Sequence, residues 1–325
     1  MQGWRPWGIG GSDIGAILGV SPYRGPVDVW LDKVQRDEGA QREKKQDAGA
    51  LPMRLGSYLE PFVVQEYEAL TGNTTRQHAA TLRHPEHPEL FGHVDRLATQ
   101  TCPTQGTLDV VLECKTCSAF RAHEWGPAWS DQVPPEYLTQ CLWYLGLTQC
   151  SEAHLAVLLG NTDLRVYRIQ RDEGLQRHMF EAAHRFWVEH VLAKVPPPAR
   201  TRDEAEALHP THEDGLAREA EESTAEAIGR HAQLVAQIGK LEAQAQDVKD
   251  HIAATMGAAE RLTWRGQTLA TWRLGRETTR LDLDRLRRER PDIAAGYTLK
   301  GNGVRRLHIG KGQADRTGAV KGTRT

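Results

Sequence analysis

The sequence predicts an α+β protein whose first part mixes strands with helices and whose second part is a helical and hairpin extension. Stretches of helical periodicity bracket a set of short strand-like segments, the pattern of an α+β domain. Pro196-Pro197-Pro198 then interrupts the chain. Beyond the prolines, Leu234, Ile238, Leu241, Ala245, Val248 and Ile252 follow a 4-3-4-3 spacing, the seam of a short coiled coil or helical hairpin. The boundaries implied are a first domain over 1–195, a linker over 196–213, an accessory domain over 214–310 and a disordered tail over 311–325.

Taken in order, Gly8-Ile9-Gly10-Gly11-Ser12-Asp13 is a glycine-rich turn running into a short helix, with Ser12 as N-cap and Gly19 at its close. Such a helix start can hold a phosphate, with Arg5 near in sequence; the alternative is an ordinary capped helix. Pro26 suits the opening of a helix over residues 27–34, and the polar stretch 36–50 reads as a flexible loop. Leu55, Leu59, Val63, Tyr67 and Leu70 recur at the helical period and end at Gly72. Glu60 adjoins that stripe. Facing inward, it is a metal or water ligand or the partner of a buried base; otherwise it is a rim glutamate.

Strand-like segments near 75–82, 90–98 and 107–115 suit an antiparallel meander. Pro134-Pro135 opens a helix to about Leu147 whose Gln140, Trp143, Tyr144 and Leu147 share one face. A glutamine there needs a partner, either backbone or a site. Residues 152–159 and 163–170 alternate around Gly160-Asn161 as a hairpin, and 172–192 is an amphipathic helix. In the extension, 262–272 reads as a hairpin turning at Gly266, 281–290 as a short basic helix and 301–309 as a last strand.

Composition narrows the class only partly. The net charge is −2, so bulk electrostatics point to no partner. From Gly257 to the end there are 16 Lys/Arg against 7 Asp/Glu, a net of +9, which leaves −11 before it. That segment is either a nucleic-acid contact or a solvated arginine-rich face. No apolar run is long enough to span a bilayer, and Met1-Gln2-Gly3-Trp4-Arg5-Pro6 lacks the apolar core of a signal peptide. Five cysteines, an odd number without a secretion signal, are expected as reduced thiols in a cytoplasm. Cys114-x-x-Cys117 has no second close pair after it, which argues against a zinc or iron–sulfur site.

The chemistry centres on Leu108-Asp109-Val110-Val111-Leu112-Glu113-Cys114-Lys115-Thr116. Glu113 and Lys115 lie two apart on a strand and share a face, while Cys114 points to the other. A buried acid and base side by side are costly unless paired or metal-bound. With Asp95 on a preceding segment, this is the equipment of a divalent-metal phosphodiesterase. Two carboxylates hold a hard cation, and a lysine orients or deprotonates the attacking water. By itself, Glu-x-Lys is also a common surface pair.

Taken together, these segments resemble the YqaJ-type viral recombinase family, the lambda-exonuclease-like branch of the PD-(D/E)XK nucleases, over roughly residues 1–195. Five ordered matches carry the resemblance: Arg5-x-x-Gly8-Ile9-x-x-Ser12, Gly56-x-x-x-Glu60 with Thr71-Gly72, Asp95, Glu113-Cys114-Lys115, and Gln140-x-x-x-Tyr144. The fold it implies is a PD-(D/E)XK restriction-endonuclease-like core, a central mixed sheet flanked by helices. It implies Asp95, Glu113 and the Cys114 carbonyl as Mg²⁺ ligands, with Glu60 on the metal or its water and Mn²⁺ able to substitute. Lys115 would activate the nucleophile, Gln140 and Tyr144 would shape the site, and Arg5 and Ser12 would bind a 5′ phosphate. Val94 stands where the family has proline and Arg96 where glycine is frequent. His93 takes a position that is serine in lambda exonuclease and contributes there to the phosphate pocket. A loop over 99–106 lengthens the gap between Asp95 and Glu113.

The activity implied is a Mg²⁺-dependent exonuclease acting 5′ to 3′ on double-stranded DNA ends in a bacterial host cytoplasm. It would supply single strands to an annealing protein in phage-type recombination, as a ring-shaped trimer and without a membrane. Two rivals are a catalytically inactive DNA-binding or scaffold protein on the same fold, and an endonuclease of the same superfamily.

Overall fold

A computed structural model describes residues 7–37, 50–102, 106–299 and 305–309. Gly8 and Ile9 enter beside Leu90 in a parallel bridge, and a side chain at Gly8 would collide with the Glu89 carbonyl. Helix α1 (Gly11–Ile17) starts from Gly10 and not from the expected Ser12. Asp13 makes the cap from inside the first turn: its carboxylate accepts the Gly10 N–H at 3.1 Å, leaving Ser12 exposed. Gly19, at φ +76°, closes the helix as expected.

Helix α2 (Pro26–Asp37) opens on Pro26 and runs past its expected end; of the stretch read as a loop, 38–49 lie outside the described residues. Helix α3 (Ala50–Thr71) is longer than its stripe predicts, and the stripe is only partly used. Val63 and Tyr67 are buried, whereas Leu55 and Leu70 are exposed.

The expected meander is broken into shorter pieces. Strands β1 (Thr74–Arg76) and β2 (Leu82–Arg83) replace the first segment, and β3 (Phe91–Gly92) and β4 (Arg96–Cys102) replace the second. β2 pairs with β3 in a separate ribbon, while β1 joins β4. Asp95 therefore sits in the bend before β4 and not within a strand. β5 (Gly106–Cys117) pairs antiparallel with β4 from Leu112↔Arg96 back to Gly106↔Cys102. The lengthened gap is thus mostly a longer hairpin, with 103–105 outside the described residues.

After a 3₁₀ turn (Ala119–Glu124), α4 (Pro135–Thr148) opens on its prolines. β6 (Glu152–Leu159) and β7 (Asp163–Gln170) then have the bounds that their alternation predicts. α5 (Glu173–Phe186) is capped by Asp172, which accepts the Leu175 N–H at 2.9 Å, and continues as a π-helical turn (Trp187–Leu192).

The sheet order is β1-β4-β5-β6-β7, antiparallel except for the parallel pair β5–β6 that α4 connects. One face packs Val111, Leu155, Val157 and Tyr167 against residues of α1, α4 and α5. The other packs Val110, Leu112, Cys114 and Ala156 against Val63, Val64 and Tyr67 of α3. This is the α+β core with a mixed sheet flanked by helices, and β6 is buried along its whole length.

Residues 196–213, read as a linker, contain helix α6 (Arg202–Leu208). The Thr201 hydroxyl accepts the Glu204 N–H at 3.2 Å, and the Glu204 carboxylate returns to the Arg200 N–H at 2.6 Å. The chain divides into two compact units, Met1–Pro210 and Thr211–Thr325.

In the second unit α7 (Glu222–Met256) is one unbroken helix, which replaces the helical-hairpin alternative. Of its seam, Leu234, Ile238, Leu241 and Val248 are all left exposed by the described residues. β8 (Arg261–Trp264) and β9 (Gln267–Thr271) form the expected hairpin. Arg265 and Gly266, at φ +48° and +81°, supply the two left-handed residues of a tight turn. α8 (Leu283–Glu289) is capped by Asp282, and Pro291 opens a further short helix, α9 (Pro291–Gly296). No strand forms over 305–309; 300–304 and the expected tail from 310 lie outside the described residues. Among the described residues, no helix is long and apolar enough to cross a membrane.

Candidate active site

The site lies where β5 outruns its neighbour. β4 begins opposite Leu112, so the same edge of β5 is open from Glu113 onward. Asp95 fills the first gap: its Oδ2 accepts the Cys114 N–H at 2.9 Å. In an extended strand a residue's N–H and C=O point to the same side, so the Cys114 carbonyl faces the edge that Asp95 occupies. The Cys114 side chain turns into the α3-side core, as the alternation predicts.

Glu113 projects from the opposite face and is 2% exposed. Its Oε1 accepts from Lys115 Nζ at 2.5 Å and from Gln140 Nε2 at 2.7 Å. Its Oε2 is buried with no partner among the described residues. A buried carboxylate oxygen left in that state is costly unless it takes a proton or a cation. Gln140 Nε2 also lies 3.1 Å from the Tyr144 hydroxyl, so the glutamine on the aromatic face of α4 reaches into a site and not to backbone.

Glu60 comes from α3 and is partly buried. Arg96 Nη1 bonds its Oε1 at 3.0 Å and the Asp95 carbonyl at 2.6 Å, so this departure from the family pattern ties Glu60 to the bend that carries Asp95.

Electrostatics couple the ionisable groups of this centre. Burial pushes Glu113 up to about 8; Lys115 pulls it down, and the charges of Asp95 and Glu60 add to the rise. Burial also raises Glu60, helped by Asp95 and opposed by Arg96. Burial pulls Lys115 down, but Glu113 and Asp95 outweigh it and hold the ammonium charged. Burial and the Glu113 charge raise Tyr144, which stays a neutral phenol. Two carboxylates and a carbonyl are hard oxygen donors, and the orphaned Oε2 is an available ligand atom. The residues fit a divalent cation such as Mg²⁺.

Behind Tyr144 lies a cavity of 380 Å³ lined by Ser12, Asp13, Arg24, Lys33, His93 and Tyr144, among others. The Tyr144 ring closes in on two glycines: a Cβ on Gly11 would fall 2.8 Å from it, and one on Gly92 3.0 Å. The glycine-rich turn therefore admits the tyrosine. Asp13 is buried with Lys33 Nζ at 2.6 Å and Arg24 at 3.5 Å. Burial would raise its carboxyl, but Lys33 and Arg24 hold it below the usual range. Ser12 and His93 are exposed at this cavity, and His93 Nε2 lies 2.8 Å from the Thr81 hydroxyl. Arg5 lies outside the described residues.

The structure thus gathers Glu60, Asp95, Glu113, Lys115, Gln140 and Tyr144 at one centre, with Ser12 and His93 at the adjoining cavity. Sequence reading missed Asp13, Arg24 and Lys33. The available signal was Lys33 itself, one turn after the buried Val29 on the inward face of α2.

Residues 2–151 match the model of the YqaJ-like viral recombinase domain. The chain is also 30% identical over 295 residues to the uncharacterized protein YqaJ of Bacillus subtilis (strain 168), spanning 89% of this chain and 87% of that one. The chain belongs to the YqaJ-like viral recombinase family. The YqaJ-like span holds every residue of the centre and of the cavity. Among solved structures, the chain is similar to an alkaline exonuclease from Laribacter hongkongensis, at 17% identity, TM-score 0.44, over 58% of this chain and 89% of that one. It is similar also to a phage related exonuclease from Haemophilus somnus 129PT, at 14% identity, TM-score 0.41, over 57% and 96%.

Proposed function

We propose that this chain is a Mg²⁺-dependent DNA exonuclease that resects duplex ends 5′ to 3′ and supplies single strands to an annealing protein in phage-type recombination. One observation carries the reading: the Glu113 Oε2, buried and unpartnered among the described residues, beside Asp95 at an open strand edge. Membership of the viral recombinase family makes DNA the natural substrate.

In this reading Asp95, Glu113 and the Cys114 carbonyl would hold the cation, and Glu60 would hold the metal or its water. What the cation supplies is a lower water pKa and stabilisation of charge developing on the phosphate. Lys115, held charged by Glu113 and Asp95, orients the nucleophile and offsets phosphate charge instead of accepting a proton. Gln140 fixes the Glu113 carboxylate, and Tyr144 keeps Gln140 in place.

The cavity behind Tyr144 receives the 5′ end of the DNA. Its described charges cancel, Arg24 and Lys33 against Asp13 and Asp32, so a terminal phosphate there needs Arg5, with Ser12 and His93 as hydrogen-bonding groups. A ring-shaped trimer in the host cytoplasm would make digestion processive; a light-scattering mass of one chain removes that part.

The test is wild-type protein on linear 5′-phosphorylated duplex and on a covalently closed circle, with Mg²⁺, Mn²⁺ or EDTA. Release of nucleotide from the linear DNA alone, abolished by EDTA, is the expected result. Cutting of the circle would mean an endonuclease. DNA binding without release under either metal would mean a binding protein.

A further inference from the structure

Outside the site, the turn between β2 and β3 and the last turn of α5 bring together His87, Glu89 and His184. Among the described residues this is the group of three whose ligand atoms all lie within 4.8 Å of one another. His184 Nδ1 is 2.7 Å from Glu89 Oε1, and His87 Nδ1 is 3.8 Å from the same oxygen. The two imidazoles are stacked, with centroids 3.9 Å apart and planes 29° from parallel. All three side chains are partly buried, at 31%, 17% and 39% exposure for His87, Glu89 and His184.

We propose that His87, Glu89 and His184 bind one Zn²⁺ with a water in the fourth position, clamping the β2–β3 turn to α5. Two imidazole nitrogens and one carboxylate oxygen are a zinc donor set. They suit Mg²⁺ poorly, which favours six oxygens at octahedral geometry. Tetrahedral zinc with ligand bonds of about 2.0–2.1 Å separates ligand atoms by about 3.3 Å. The two spacings on Glu89 Oε1, 2.7 and 3.8 Å, straddle that value, and all three ligand atoms lie within 4.8 Å of one another. Because an imidazole binds a metal in its own plane, the two stacked rings would turn towards the ion as it binds.

The turn is also held in place before any ion arrives. The Glu89 carbonyl accepts the Ile9 N–H at 2.9 Å. His84 Nδ1 accepts the N–H groups of Glu86 and His87 at 3.3 and 3.2 Å, and its ring lies against Phe180 of α5 with centroids 4.7 Å apart. Without a cation, two stacked imidazoles share a single carboxylate. A divalent ion gives each nitrogen a ligand bond and fixes both tautomers. The clamp would tie α5 to the segment that continues through Phe91 and Gly92 to Asp95. It uses none of the oxygen donors of the proposed nuclease centre, so it stands or falls apart from that reading.

The test uses tag-free, full-length protein stripped with EDTA and titrated with ZnCl₂ in excess Mg²⁺, followed by zinc-edge X-ray absorption on the loaded sample. The expected result is one zinc per chain with two imidazoles, light oxygen or nitrogen ligands and no sulfur. Glu89→Gln and His184→Ala should each weaken binding by more than the 10–100-fold typical of lost outer partners, while His178→Ala, on the same helix, leaves it unchanged. No binding by wild type, sulfur scattering, or equal affinity in folded variants would overturn the proposal. If His184→Ala does not fold, the wild-type absorption spectrum still decides the ligand set.

Discussion

Strand β6 and helix α7 both carry regular apolar spacing, and the fold treats them in opposite ways. Leu155 in β6 has no exposed surface, whereas Leu241 in α7 is 63% exposed. β6 lies in the middle of a sheet with helices on both faces, so each side of its alternation meets apolar residues of this chain. The α7 stripe meets none that covers it among the described residues. Periodicity reports the geometry of an element and the face it offers; it does not report whether the same chain supplies what covers that face.

The sharpest way to break this contrast is Leu155→Ala, expected to cost about 2–5 kcal/mol as a buried leucine truncation. Urea unfolding followed by circular dichroism measures it, and a loss below about 1 kcal/mol would remove β6 from the core. A second prediction concerns the cation at Glu113. Its carboxyl sits at about 8 through burial and must lose its proton to act as a ligand. Mg²⁺ affinity should therefore climb by roughly tenfold per pH unit below that value and level off above it. Activation curves from pH 6 to 9 check this, and a flat profile would contradict it.

A third prediction rests on Glu152, a buried charge at the start of β6. Burial would raise it, but His154, Arg168 and Gln170 hold it down at about 2, below its ordinary 4.5. A depressed carboxylate contributes stability that is present above the unfolded value and is lost as pH falls towards the folded one. Glu152→Gln should cost about 1–3 kcal/mol at neutral pH and flatten the acid side of the stability curve. Unchanged acid dependence would rule out the network as its source. The smallest effect belongs to Leu241→Ser, expected within about 0.5 kcal/mol in unfolding of the isolated chain; a larger loss would show that α7 is covered in solution.

The legible parts were those set by local rules. The bounds of β6 and β7, the proline opening of α4, the start of α5 near Asp172 and the hairpin turn at Gly266 follow from alternation, amphipathic period and turn chemistry. Glu113 and Lys115 were legible because strand period fixes their common face. What stayed hidden depends on distance in sequence. Ser12 loses its capping role because Asp13 reaches back to Gly10. Asp95 leaves its strand because it bonds the Cys114 amide, nineteen residues on. Lys33 meets Asp13, and His184 meets Glu89, only once the helices have docked. Helix α6 was not legible because Pro196-Pro197-Pro198 marks a break only three to five residues before the Thr201 capping box, and the polar residues that follow read as linker.

The central claim is that the Glu113–Lys115 edge of β5 is a nuclease centre. The most direct measurement is release of acid-soluble nucleotide from linear 5′-phosphorylated duplex by wild type and by Lys115→Ala, each with Mg²⁺ and with EDTA. Removing the charged group at the centre should slow Mg²⁺-dependent release by about 10²–10³-fold in a variant whose circular dichroism is unchanged. Release by Lys115→Ala at the wild-type rate would place the activity elsewhere and contradict the account.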